Sequence, residues 1–229
     1  MIYEVIVFLS LFILTFLLLS KYKIGVVEAI ANSLAILPVS HDSRLESLLE
    51  IANRYYFAKN YLAAEKAYLK VLKVDHKSSL AYSRLGFIYS HFGQVNDAIE
   101  CFQIVADNYP NSASYYNLSM VLFKSRRFKR SAVALEKSIS MEETSARLVT
   151  LARIYRVIGY YDKQIKTLAR ALHLEPASTS IMQLLAEAYL HEGQPKEAMS
   201  MFKSILKLEP ANVRAKQALS SNPALKKLQ

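Results

Sequence analysis

The chain has 229 residues, 52% of them hydrophobic, a formal net charge of +10 and a single cysteine, Cys101. One cysteine excludes an internal disulfide and any metal centre built from thiolates. Five glycines and no alternating apolar/polar run of strand length leave an all-α chain as the favoured class, and the excess of cations suits an anionic partner.

The amino-terminal stretch 1–20 reads MIYEVIVFLSLFILTFLLLS, with Glu4 as its only charged side chain. Twenty helical residues span about 30 Å, the thickness of a bilayer's hydrocarbon core. A transmembrane helix is therefore expected, with Tyr3 and Tyr22 at its interfaces. A cleavable signal peptide competes. It would need a basic leader, which is absent, and Ala29-Ile30-Ala31 lies too far beyond the apolar run. Lys21 and Lys23 follow the helix directly, so the positive-inside bias puts the rest of the chain in the cytoplasm. The expected localisation is a single-pass membrane protein with a cytoplasmic domain.

Residues 21–44 read as a juxtamembrane linker. Ile24, Val27, Ala31 and Leu34 share one helical face, which fits either an interfacial helix, one packed on the next domain, or an ordinary linker helix. The segment 38–44, PVSHDSR, is a hinge. Ser43 with Glu46 forms a capping box, which predicts a helix starting there.

From residue 45 to 212 a pattern of 33 or 34 residues recurs five times, over 45–78, 79–111, 112–144, 145–178 and 179–212. Each copy has two amphipathic helices. In the second copy, Tyr82, Leu85, Gly86 and Tyr89 line one face of the first helix, and Ala98, Ile99, Phe102 and Val105 one face of the other. Gly93, Gly159 and Gly193 share a turn column, and Pro110, Pro176 and Pro210 share a terminator column. Small residues, Gly86 and Ala98 in this copy, fall where the two helices should cross. Residues 213–219, VRAKQAL, read as a terminal capping helix, and 220–229 as a flexible tail.

These columns resemble the tetratricopeptide repeat family. The resemblance implies a right-handed α-solenoid of about five helix-turn-helix repeats plus a capping helix. The third copy departs from the pattern at Ser119, Ser131 and Glu143, and the fourth at Gln164. Looser helix packing is expected there.

The resemblance also implies that the first helix of each pair lines a concave, peptide-binding groove. Its candidate residues are Asn53, Tyr56 and Phe57; Ser83, Arg84, Phe87 and His91; Tyr116, Asn117, Met120 and Lys124; Val149, Arg153 and Arg156; and Gln183, Glu187 and His191. Rings anchor a partner and Arg forks hold carboxylates, so a protein or peptide carrying acidic and apolar residues is expected. Packing of these rings between hairpins is the competing reading. The lysine-and-asparagine clamp of some family members is not matched, because Leu49, Ser83 and Tyr116 occupy its lysine positions. A separate basic patch, Arg126, Arg127, Lys129 and Arg130, crosses the turn of the third copy. It reads as a solvated turn or as a site for anionic lipid, ahead of nucleic acid.

No catalytic constellation stands out. His41, His76, His91, His173 and His191 have no i, i+4 pairing, and there is no phosphate loop or nucleophile elbow. Glu142 and Glu143 are adjacent, so they do not face one another on a helix. The sequence points to a membrane-anchored scaffold or adaptor without catalysis, cofactor or metal, and leaves open whether it forms a homo-oligomer. The alternatives are an extracytoplasmic assembly or secretion factor, and an accessory subunit of a membrane-bound enzyme complex.

Overall fold

The structure, a computed structural model, describes residues 41–227. The expected transmembrane helix at 1–20 and the linker up to residue 40 lie outside the described residues. Among the described residues no helix is long and apolar enough to cross a membrane. The expected single-pass membrane localisation is corrected accordingly.

Twelve α-helices and no strand are found among the described residues. Ten form five successive hairpins: α1 (His41–Phe57) with α2 (Tyr61–Val74), α3 (Ser79–His91) with α4 (Val95–Asn108), α5 (Ser112–Lys124) with α6 (Phe128–Met141), α7 (Ser145–Ile158) with α8 (Tyr161–Leu174), and α9 (Thr179–His191) with α10 (Pro195–Leu208). Two short helices follow, α11 (Val213–Ser221) and α12 (Pro223–Lys226). We call the first helix of each hairpin A and the second B. Each helix packs on the next, so the chain is an all-α repeat solenoid.

The crossings follow the small-residue columns. Ala52, Ala64, Ala98, Ala186 and Ala198 are fully buried. At Gly86 a Cβ would lie 2.9 Å from the Phe102 ring, closer than packed carbons tolerate, so only glycine lets that ring seat. Ser119 and Ser131 were expected to loosen the third crossing. Instead both are fully buried and tie the two helices together through their hydroxyls. Gln164 does carry a defect: it is 4% exposed and its Oε1 has no hydrogen-bond partner.

Each A–B turn passes through a left-handed residue in one column: Lys59 (φ 58°), Gly93 (77°), Arg126 (60°), Gly159 (77°) and Gly193 (68°). Side-chain caps start several helices, with Asn60 accepting from the Ala63 amide and Asn212 from the Ala215 amide. At α5 the cap is reciprocal, because Asn111 and Ser114 each bond the other's backbone amide.

Two boundaries differ from expectation. Helix α1 already includes His41, so Ser43 sits inside a helix and not at its cap. The segment expected to fray from residue 220 contains α12, whose Leu225 is fully buried against Phe202, Ile205 and Ala215 of the last core. Asn222 caps this helix from the Ala224 amide, and Pro223 supplies its first turn.

Candidate functional site

The residue immediately after each crossing residue is turned about 100° away from the core. That column reads Asn53, Phe87, Met120, Arg153 and Glu187, one from each A helix. Its ends are engaged within the protein. Asn53 accepts a hydrogen bond of 2.7 Å from the Tyr68 hydroxyl, and Glu187 accepts one of 3.0 Å from the Gln183 amide. Its middle is open. Phe87 is 41% exposed and Met120 37%, and Arg153 is exposed with no partner among the described residues. Phe87 is nonetheless held in place, edge-on to Phe102 with ring centres 5.0 Å apart.

The other groove candidates divide. Arg84 is committed to its neighbours: its guanidinium lies 4.5 Å over the Tyr56 ring and 5.3 Å from the Phe57 ring. Its buried Nε has no hydrogen-bond partner. Arg84 also offsets part of the effect of burial on Tyr68, whose hydroxyl is pushed up to about 12. The sequence placed Arg84 among the groove candidates; the structure sets its guanidinium over two rings of the preceding hairpin. Lys124 donates to the Ser90 carbonyl at 2.6 Å, closing the end of helix α3, and so bridges hairpins. Tyr116 and Asn117 are half-buried, and Tyr116 packs against the third and fourth hairpins' core. Arg156 is exposed and without a partner among the described residues.

Sequence reasoning missed the partners of the two groove histidines. His91 packs on Tyr61 with centres 4.6 Å apart, and His191 stacks on Tyr161 at 3.9 Å. In both cases the tyrosine opens a B helix and stands 30 residues before the histidine. That repeated separation was the available signal.

The four residues of the basic patch have different surroundings. Arg126 occupies the left-handed turn position. Arg127 donates to the Asn96 side chain at 2.9 Å and so joins neighbouring B helices. Lys129 and Arg130 flank a cleft beside α4 and α5. Cys101 is buried in the core of the first two hairpins, and burial pushes its thiol up to about 12. No cluster of potential metal ligands is present among the described residues.

Stacked helical hairpins with an open, chemically mixed A-helix wall define a class, the helical-repeat interaction scaffolds. Within that class the chain belongs to the tetratricopeptide repeat family, which it matches over residues 67–100, 112–145 and 159–221. It is similar to the crystal structure of MamA, with 25% identity and a TM-score of 0.65 over 77% of this chain and 95% of that one. It resembles YrrB, described as a TPR protein with an unusual peptide-binding site, at 18% identity and a TM-score of 0.65, covering 78% and 97% of the two chains. Among curated relatives, a TPR repeat-containing protein of Methanocaldococcus jannaschii is 23% identical over 184 residues, 72% of this chain and 32% of that one. The chain spans no more than about a third of the length of the curated relatives it matches. It is a protein-interaction scaffold of the tetratricopeptide type.

Proposed function

We propose that the A-helix wall binds a peptide segment carrying apolar and acidic residues, without catalysis. The carrying observation is the open centre of one column: Phe87 and Met120 are apolar and exposed, and Arg153 is an exposed cation with no partner among the described residues. Successive hairpins set these three side by side along the solenoid. A ligand's apolar side chains would remove water from the first two, and its carboxylate would meet the guanidinium of the third. Arg156, one turn along α7, adds a second cation without a partner among the described residues.

The rings beneath are fixed before any ligand arrives, Phe87 by Phe102 and Tyr56 by Arg84. Preorganised anchors lose little side-chain entropy on binding. The solved structure of YrrB, whose description names a peptide-binding site, is compatible with this use of the fold.

The test is a photo-crosslinking residue at Met120 in the full chain, with a second at Leu69 on the outer side of α2 as control. Mass spectrometry of the crosslinked peptides identifies the segment bound. The account expects a segment with acidic and apolar residues at Met120 and not at Leu69. Crosslinks of the same segment at both positions, or a basic segment at Met120, would refute it. A crosslink to a second copy of this chain would make the wall an oligomer interface instead.

A further inference from the structure

A cleft of about 290 Å³ opens on the B-helix side of the third hairpin, between α4, α5 and α6. Its floor is apolar: Leu118, Leu122 and Ala134 belong to the core, and Val133, 54% exposed, forms the rim. Leu118 and Leu122 lie two residues to either side of Met120, hence about 200° round the same helix. The cleft and the A-helix wall therefore open on opposite sides of α5.

Lys129, Arg130 and Lys137 surround this floor, and no carboxylate lines it. The helix supplies no counter-charge. Four residues to either side of Lys129 stand Ser125 and Val133; for Arg130, Arg126 and Ala134; for Lys137, Val133 and Met141. Lys129 and Arg130 form no ion pair among the described residues, and the Lys137 ammonium lies 5.2 Å over the Tyr115 ring. Neighbouring arginines behave differently. Arg147 pairs with Glu142 at 2.9 Å and Arg170 with Glu143 at 2.5 Å. Three cations left unneutralised around an apolar hollow repel one another, and an anionic ligand would relieve that repulsion.

We infer that this cleft is a second binding site, for an acidic peptide segment that presents one apolar side chain between its carboxylates. The apolar side chain sits on Leu118 and Leu122, and the carboxylates reach Lys129, Arg130 and Lys137. The cleft offers nucleic acid little, since its one ring, Tyr115, is already covered by the Lys137 amine. Charge complementarity, and an apolar hollow with room for a large side chain, favour the peptide.

The probe is a fluorescein-labelled hexapeptide, Glu-Glu-Leu-Phe-Glu-Glu, titrated with the full chain and followed by anisotropy. A Lys-Lys-Leu-Phe-Lys-Lys peptide is the charge control. The double variant Lys129→Glu, Arg130→Glu should weaken binding by about tenfold or more, and Val133→Asp should act in the same direction. These side chains are exposed, so circular dichroism should be unchanged. The double variant Phe87→Ala, Arg153→Ala should leave a cleft-dependent component of binding intact, which separates this site from the A-helix wall. Unchanged affinity in the Lys129→Glu, Arg130→Glu protein overturns the inference. So does equal binding of the cationic peptide. If the chain binds phosphatidylserine vesicles through these cations but not the acidic peptide, the peptide assignment is overturned in favour of an anionic lipid.

Discussion

Ser119 and Ser131 exchange hydrogen bonds across the third helix crossing. The Ser119 hydroxyl donates to the Ser131 carbonyl at 2.9 Å, and the Ser131 hydroxyl donates to the Ser119 carbonyl at 2.8 Å. Two polar residues thereby take the place of the small apolar pair seen at Ala52 and Ala64 or at Ala186 and Ala198. Full burial of both serines means that the helices close up around them.

That relationship separates a bonded crossing from a loose one. Ser119→Ala removes one buried hydrogen bond and should cost about 1 kcal/mol. Ser119→Leu adds volume where none is free and should cost about 1–3 kcal/mol more. Urea unfolding of the full chain, followed by circular dichroism, measures both. A loose crossing would accept the leucine without loss.

The turn column gives a second prediction. Arg126 adopts a φ of 60°, which glycine tolerates at no steric cost and other L residues only with strain of about 1 kcal/mol. Arg126→Gly should therefore raise the unfolding midpoint, net of the extra chain entropy that glycine brings. Gly159→Ala should lower it although nothing crowds that position, because the penalty lies in the backbone.

Stability at low pH should depend on a repeated latch. A hydroxyl at the start of an A helix donates to the acid that ends the same hairpin: Ser112 to Glu142 at 2.5 Å, Ser145 to Glu175, and Thr179 to Glu209 at 2.7 Å. The Ser112 hydroxyl, followed by Arg147, holds the Glu142 carboxyl below its ordinary range. Asn212, followed by Thr179, does the same for Glu209. A depressed folded-state value means that the stabilisation is complete above the unfolded carboxylate value of about 4.3. It is lost as the pH falls below that value and through the folded-state one. Unfolding midpoints measured across this window should decline, and the decline should be shallower in a Glu142→Gln, Glu209→Gln protein. Equal slopes would mean that the latch carries no stability.

The repeat period and the crossing columns were legible in the sequence because each depends on one residue type at one spacing. Gly93, Gly159 and Gly193 announced the turns; Lys59 and Arg126 occupy the same column but could not, since neither residue type signals a positive φ. The hydroxyl–carboxylate latch was hidden because serine and glutamate are common and their 30-residue separation acquires meaning only when two helix ends meet. The surroundings of Arg84 were hidden for a related reason. A helical pattern shows whether an i, i+4 acid is present, but not that Tyr56 of the preceding hairpin covers the guanidinium. Gln164 was legible as an intruder in a small-residue column, and its orphaned oxygen is the physical form of that misfit. The basic run was visible as well, yet its division into a strained turn, an Asn96 bridge and a cleft edge required the three-dimensional arrangement of α4, α5 and α6.

The central claim is that Phe87, Met120 and Arg153 form the working face of the A-helix wall. Its most direct test is the affinity of the full chain for the segment crosslinked at Met120, measured by calorimetry for the wild type, Phe87→Ala and Arg153→Ala. Loss of a preorganised aromatic anchor should weaken binding by about thirtyfold. Loss of Arg153 should reduce both affinity and its salt dependence, while Arg84→Ala should act chiefly on stability. A Phe87→Ala, Arg153→Ala protein that keeps its helicity and binds the segment with undiminished affinity would contradict the account.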